Sequence, residues 1–422
     1  MVSGNKKFFL VCVGSELLKG EVINSNIALL GKILFEKGFK LVGERSCPDD
    51  QESIYIALRD ALKASDYVIT TGGLGPTFDD ITREVISKYF HCPLEFSKSY
   101  YQNLIRCTTK TGKLSDAVRE GFRRQSFFPR GSKVISNRHG SASGFLIKSG
   151  DKCVIALPGV PREFEAMLSE EILPKILLKE HRSTESDFLS IRAIGINEVE
   201  FLRRLGSLPP PDSVQCGIYP DLGEVRFTAL ALNNSRTSKK YIFDLKRRLK
   251  KNLSENIYSF NQNKSFEEII GGLLRARKKT VSVAESCTGG LVAKLLTAAP
   301  GSSDYFMGGV TAYSNRVKEI FVNVPKKKIQ KFGAVSTQVA QELAKNIRKI
   351  MKTSLGIGIT GIAGPRGGTR QKPVGLVYIG LADQNNVLVN KFLFNGDRER
   401  IRMLASKWAL FLLWQKIKSG RF

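Results

Sequence analysis

Ser286, Ser303, Tyr313 and Lys318 fall in one short stretch of the chain and are the side chains best suited to covalent chemistry. A serine hydroxyl becomes a nucleophile when a neighbour removes its proton, and a lysine can do so once burial or a nearby cation keeps it neutral. Residues 281–318 contain no histidine, which sets a Ser-His-Asp triad aside and points to serine–lysine hydrolysis. Ser286 follows the apolar run Val281–Ala284 and Glu285. Cys287, Thr288, Gly289 and Gly290 come next, and then a helical pattern through Leu291, Leu295 and Leu296. Strand, small-residue turn and helix start together make an anion cradle of free backbone amides and a helix dipole. Thr288, Gly289 and Gly290 are therefore expected to hold a phosphate. Two serines compete as nucleophile, and Ser303 is favoured because the turn at Ser286 suits phosphate better. Cys287 is a rival that reads more simply as a buried thiol. Lys318 is the expected base, with Tyr313 relaying its proton or orienting the pair. A phosphate cradle beside a serine–lysine pair reads as hydrolysis of a nucleotide.

A second constellation lies near the start of the chain. Gly72-Gly73-Leu74-Gly75-Pro76-Thr77-Phe78-Asp79-Asp80 follows a strand-like run and precedes a helix-like one. Its glycines let backbone amides approach a phosphate, and Asp79 and Asp80 are placed to hold a divalent cation against phosphoryl oxygens. The simpler reading is that the two aspartates cap a helix. Gly14, Ser15 and Glu16 after the first strand, with Asn24 and Asn26, belong to the same expected cleft, and Asp49 and Asp50 can add carboxylates. Loops 137–142 and 157–163 are further candidates, with His139 either a general base or a hydrogen-bonded loop residue.

These residues need a scaffold with several strand ends side by side. At 422 residues the chain exceeds one ordinary core. Buried strands are expected at 8–13, 67–70 and 152–157, with helices at 27–35 and 79–89, which implies a parallel three-layer α/β sheet. After about residue 172 short strands and helices suggest a small α+β module. Residues 261–265 read as a polar linker. A final α/β domain follows, with strands near 281, 310, 357 and 374–381 and a closing helix at 400–417. The expected fold class is two three-layer α/β domains, 1–172 and 265–422, joined by a small α+β module at 173–260.

Composition narrows the setting. No apolar run approaches the roughly 18 residues of a membrane span, and the chain's start reads as a first strand in preference to a signal peptide. Seven scattered cysteines without a CxxC pair suit free thiols in a reducing cytoplasm. The net charge of +27 invites a nucleic-acid reading. It is spread thinly, without a recognition motif, so steering of phosphorylated substrates fits better and no dedicated nucleic-acid site or membrane contact is expected.

Segments 11–30, 70–86 and 137–167 resemble the molybdopterin-binding-like domain of the CinA (competence/damage-inducible) family. Segments 281–318, 333–338, 360–379 and 396–402 resemble its nicotinamide-nucleotide amidase domain, in the same order. The resemblance implies that the last domain deamidates nicotinamide mononucleotide to nicotinate mononucleotide and ammonia without a cofactor. It implies that the first hydrolyses ADP-ribose to AMP and ribose 5-phosphate with divalent metal (Mg, Mn or Co) and potassium, and that the protein is a homodimer. The family's Tyr-Ser-Asn-x-x-Lys catalytic segment is present as Tyr313 to Lys318. With an amide as substrate, Thr360, Gly361, Ala363 and Gly364 are expected to form the oxyanion hole or hold the amide. Arg398 is expected to clamp the phosphate or to pair with a neighbouring carboxylate. Two other classes compete: a pterin- or nucleotide-binding module with an accessory role, and a competence or DNA-damage protein. The intact Ser303, Tyr313 and Lys318 set favours the enzyme.

Overall fold

The computed structural model describes residues 6–37, 39–109, 114–177, 188–233, 235–260 and 264–420. Part of the expected linker, residues 261–263, lies outside them. The chain divides into two compact units, 1–188 and 189–422. The α+β module thus belongs to one unit with the last domain.

The first unit is built on a six-stranded sheet. Its strands are β1 (Lys7–Val13), β2 (Lys40–Cys47), β3 (Tyr67–Thr71), β6 (Lys133–Ile135), β7 (Gly144–Ser149) and β8 (Lys152–Leu157), in the order β2-β1-β3-β8-β7-β6. β4 (Leu94–Phe96) and β5 (Phe127–Pro129) form a separate ribbon. β2, β1, β3 and β8 are parallel, and β7 and β6 add an antiparallel edge, so the sheet is mixed where an all-parallel one was expected. Helices cover both faces. Leu30 and Leu34 of helix Ser25–Glu36 pack with Phe164 and Met167 on one side. Ile54, Leu58 and Leu62 of helix Gln51–Ala64 pack with Val85 and Ile86 on the other. This three-layer arrangement explains why β1, β3 and β8 read as nearly unbroken apolar runs.

The second unit contains two sheets. β9 (Phe188–Ile194), β10 (Val214–Asp221), β11 (Glu224–Ala231) and β12 (Ile257–Ser259) form one sheet, in the order β10-β11-β9-β12. Helices Glu198–Leu205 and Arg236–Asn252 pack on it through Phe201, Leu205, Ile242, Leu245 and Leu249. The larger sheet has the order β14-β13-β15-β16-β17: β13 is Val281–Glu285, β14 Phe306–Thr311, β15 Leu355–Gly361, β16 Leu376–Ala382 and β17 Val387–Leu393. β14, β13 and β15 are parallel, so their carboxyl ends share one rim. Helices Phe266–Ala276, Leu291–Leu296 and Arg398–Ser419 cover one face. Helices Asn315–Val322, Lys326–Phe332 and Thr337–Ile350 cover the other. Among the described residues no helix is long and apolar enough to cross a membrane.

Candidate active site

The rim at the carboxyl ends of β14, β13 and β15 carries the densest chemistry. β13 ends at Glu285, so Ser286 starts the loop out of the sheet, and its N–H donates to Ile359 O at 3.0 Å. β14 ends at Thr311 and hands the chain to helix Asn315–Val322, whose N-cap Ser314 accepts from Val317 N. That short helix aims Lys318 back under the rim. Lys318 is 2% exposed. Its Nζ donates to Ser286 Oγ at 3.1 Å, Ala312 O at 2.8 Å and Tyr313 O at 3.2 Å. Burial lowers the pKa of this ammonium to about 8, because the charged form loses its water.

A cavity of about 270 Å³ opens over this pair. Ser286, Tyr313, Lys318, Thr360, Gly361, Ala363, Gly364 and Arg398, all expected site residues, line it. Cys287, Asn315, Ala334, Val335, Ile362, Arg366 and Gly367 complete the lining. Its charged residues, Lys318, Arg366 and Arg398, are all cations, so it favours an anionic ligand. Arg398 donates to Gly364 O at 2.7 Å and to the Tyr313 hydroxyl at 2.9 Å. It is thus not consumed by Asp397, which instead caps helix Arg398–Ser419 by accepting from Arg400 N. The Thr360 hydroxyl donates to Ala334 O, of another lining residue, at 2.8 Å. Burial pushes the Cys287 thiol up to about 12, which leaves it protonated, and it is Ser286 Oγ that meets Lys318 Nζ.

Two expectations are corrected here. Ser303 does not meet Lys318. It lies exposed in the turn Ser302–Asp304, ahead of the amino end of β14, whereas Tyr313 and Lys318 follow the carboxyl end. A strand advancing about 3.3 Å per residue separates the two rims by roughly 20 Å. The serine beside Lys318 is Ser286. The second correction concerns the phosphate cradle. Glu285, 1% exposed, accepts from Gly290 N at 2.9 Å, Val292 N at 3.1 Å and Ala293 N at 2.8 Å. Its carboxylate occupies the start of helix Leu291–Leu296, where a phosphate was expected. Thr288, Gly289 and Gly290 shape this turn and do not line the cavity. An acidic residue closing an otherwise apolar strand was the signal available for Glu285. Arg366 had a weaker one, a cation inside a glycine-rich loop.

In the first unit the carboxyl ends of β1, β3 and β8 bring together Gly14, Thr71, Gly72 and Gly159. Buried Asn26 donates to Thr71 Oγ1 at 2.9 Å and Gly159 O at 2.9 Å, tying β3 to the loop after β8. Ser15 N–H donates to Asp49 at 2.7 Å, whereas Asp50 caps helix Gln51–Ala64. Glu16 is exposed, and its carboxylate stands 2.4 Å from where a Cβ on Gly14 would be. Gly72 has φ of 101°, and a Cβ there would meet Val13 O at 2.0 Å, so glycine alone fits. The Gly72 N–H already donates to Leu157 O at 3.1 Å, which leaves Gly73 and Gly75 nearer the free end of the loop.

Helix Thr82–Tyr89 begins later than the sequence suggested. Asp79 and Asp80 lie in the loop, not in its first turn, and Ile81 at the N-cap has no capping side chain. Asp80 instead folds the loop, accepting from Thr77 N at 2.8 Å and from the Thr77 hydroxyl. Asp79 is exposed, and a hydrogen bond from Thr77 holds its carboxyl below the usual range. Pro76 and Thr77 are exposed on the same loop. Asn137 donates to Glu163 at 2.7 Å, joining the two later loops, and His139 stands 3.8 Å from Glu170. Among the described residues no group of three or more His, Cys, Asp or Glu side chains is arranged to hold a metal ion.

Residues 263–417 match the family model of the CinA C-terminal domain, and residues 9–177 match that of a probable molybdopterin binding domain. A putative competence-damage inducible protein of Clostridium acetobutylicum is 36% identical over 398 residues, covering 94% of this chain and 95% of that protein. A CinA-like protein of Kosmotoga olearia is 38% identical over 411 residues, covering 95% and 96% respectively. Among solved structures, a CinA protein from Thermoplasma acidophilum is 33% identical and covers 42% of this chain and 98% of its own, with a TM-score of 0.36.

Proposed function

This chain belongs to the CinA family, and from that premise we propose that its second unit deamidates nicotinamide mononucleotide to nicotinate mononucleotide and ammonia. The observation that carries the reading is Lys318, buried against Ser286 Oγ in a cavity whose charged lining residues are all cations. With Lys318 neutral, two of its N–H bonds stay on Ala312 O and Tyr313 O and its lone pair faces the Ser286 hydroxyl. Ser286 Oγ adds to the amide carbon as its proton passes to Nζ. The backbone amides of Ala363 and Gly364 donate to the resulting oxyanion. Lys318 then returns the proton to the amide nitrogen, the C–N bond breaks, and ammonia leaves an acyl group on Ser286. Water adds to that acyl carbon while giving Lys318 its proton. The C–Oγ bond breaks, Ser286 recovers the proton, and the carboxylate product departs. Arg366 and Arg398 neutralise the 5′-phosphate, with the Tyr313 hydroxyl held beside them.

Ammonia release by the full chain tests this, comparing nicotinamide mononucleotide with nicotinamide riboside, which lacks the phosphate. The mononucleotide should be hydrolysed far faster, with no effect of a chelator. Equal rates on the two, or loss of activity with chelator, overturns the assignment.

A second reading concerns the first unit, favoured by the uncapped start of helix Thr82–Tyr89 beside two carboxylates. There we propose hydrolysis of ADP-ribose to AMP and ribose 5-phosphate. Asp79 and Asp80 fit a magnesium-type site, which takes one or two carboxylates and completes its shell with phosphate oxygens and water. A bound divalent cation (Mg, Mn or Co, with potassium assisting) would neutralise charge on the pyrophosphate. Gly73 and Gly75 let the loop backbone approach it. The seven cysteines, none of them joined in a disulfide, support a cytoplasmic setting. A homodimer is part of the same proposal, checked by sedimentation.

A further inference from the structure

The turn carrying Ser286 is held by two side chains that do not line the cavity, and we propose that Glu285 and Arg402 are positioning residues that set the nucleophile against its base. This rests on reading Ser286 and Lys318 as that pair. Glu285 is fixed through its backbone in β13, between Thr311 of β14 and Ile359 of β15. Its carboxylate reaches past the loop to the amides of Gly290, Val292 and Ala293. One side chain thereby closes residues 286–289 into a loop tied at its base. Hydrogen bonds to a carboxylate are about twice as strong as neutral ones, so the closure is firm.

Arg402 holds the middle of the same loop. It reaches down from helix Arg398–Ser419 and donates to Thr288 O at 3.0 Å, while Glu399 accepts from the same guanidinium at 2.8 Å. Gly289, with φ of 61°, lets the guanidinium come this close, since a Cβ there would stand 3.3 Å from it. Lys318 is fixed separately by Ala312 O and Tyr313 O. The 3.1 Å between Ser286 Oγ and Lys318 Nζ is therefore the gap between two bodies that leave neighbouring strands and carry separate side-chain anchors. Loosening one body widens the gap without touching what binds substrate. Displacement by about 1 Å at a reacting group costs on the order of 100-fold in rate.

The test uses the full chain as wild type, Arg402→Met, Glu285→Gln and Ser286→Ala. Arg402→Met is the variant that keeps its fold, because the guanidinium is partly exposed. Glu285→Gln keeps the shape but turns an amide group toward backbone donors. Four quantities are measured: kcat and KM for ammonia release from nicotinamide mononucleotide, the rate at which phenylmethylsulfonyl fluoride labels Ser286, and the melting temperature. Arg402→Met should lower kcat by about 10-fold and Glu285→Gln by about 100-fold, each with KM within about twofold. Labelling should slow in parallel, with Ser286→Ala unlabelled. A raised KM at unchanged kcat, or labelling as fast as wild type in both variants, overturns the proposal. Labelled wild type that releases no ammonia refutes the substrate reading, and the labelling ratios then decide the clamp. Wild type that neither turns over nor labels at Ser286 overturns both.

Discussion

Two turns in this molecule look alike in sequence and do different work. In each, a buried strand runs into glycines and then a helix: Thr71 to Asp80 in the first unit, Glu285 to Gly290 in the second. Only the first leaves its helix start without a side-chain cap, since Ile81 precedes helix Thr82–Tyr89. In the second, the carboxylate of Glu285 already sits on the amides. The lesson is that strand–glycine–helix marks an anion site only where the amides have no anion from the chain itself. In the second unit the cations that line the cavity besides Lys318, Arg366 and Arg398, come from outside the turn, and the proposed function gives the phosphate to them.

The sharpest test of that division is the serine. Ser286→Ala should reduce ammonia release by about 10⁴-fold or more, as removal of a serine nucleophile does elsewhere. Ser303→Ala should leave it within about twofold. If the two results are exchanged, the second turn is a phosphate cradle after all.

Next comes the base. Lys318→Met should cost about 10²–10⁴-fold, the usual range for a lost general base. Because burial lowers this ammonium to about 8, the wild-type rate should climb as pH rises through about 8 and fall below it, where Lys318 carries a proton and cannot accept another. The same lowering means the unfolded chain binds an extra proton between about 8 and the ordinary lysine value of 10.5, so this group's contribution to stability rises across that window. A rate that is flat from pH 6 to 9 would remove Lys318 from the mechanism.

In the first unit, Asp80→Asn should reduce ADP-ribose hydrolysis by about 100-fold, as expected where a cation on a phosphoryl oxygen supplies several kcal/mol. An asparagine oxygen can still accept from Thr77, so the loop should persist and ammonia release should not change. Unchanged ADP-ribose hydrolysis would show that Asp80 only folds its loop.

The smallest effect is expected for Arg398→Met. Loss of a charge-assisted contact worth about 1.5–3 kcal/mol should raise KM for the mononucleotide roughly 10- to 100-fold. Hydrolysis of the riboside should hardly change. An equal loss on both substrates would make Arg398 a support for Tyr313 and Gly364 alone.

The legible parts of this chain were those where one residue pattern has one physical outcome. β8 was bounded in full from its apolar run at 152–157. β2 and β17 escaped notice because both mix charged or polar residues with apolar ones: Lys40, Glu44 and Arg45 in the first, Asn390 and Lys391 in the second. Each lies at an edge of its sheet, where one side faces fewer neighbours. Tyr313 to Lys318 were found from a lysine near a serine and from the resemblance of Tyr-Ser-Asn-x-x-Lys, and Thr360 to Gly364 because a short glycine and hydroxyl loop follows buried β15. The choice between Ser286 and Ser303 was not legible. It depends on Ser286 following the carboxyl end of β13 while Ser303 precedes the amino end of the neighbouring β14, and sequence distance to Lys318 favours the wrong one. The uptake of the helix start by Glu285 is likewise a matter of where one side chain turns.

Helix Arg398–Ser419 has a consequence for how the protein is made. Its first turns hold Gly364 and Tyr313 through Arg398 and Thr288 through Arg402. Every other residue that lines the candidate centre precedes this helix in the chain. A ribosome adding about 5–20 residues per second builds the serine loop several seconds before it reaches the arginines that brace it. The centre is therefore assembled only after the helix has emerged, and a nascent chain with both sheets in place does not yet have it.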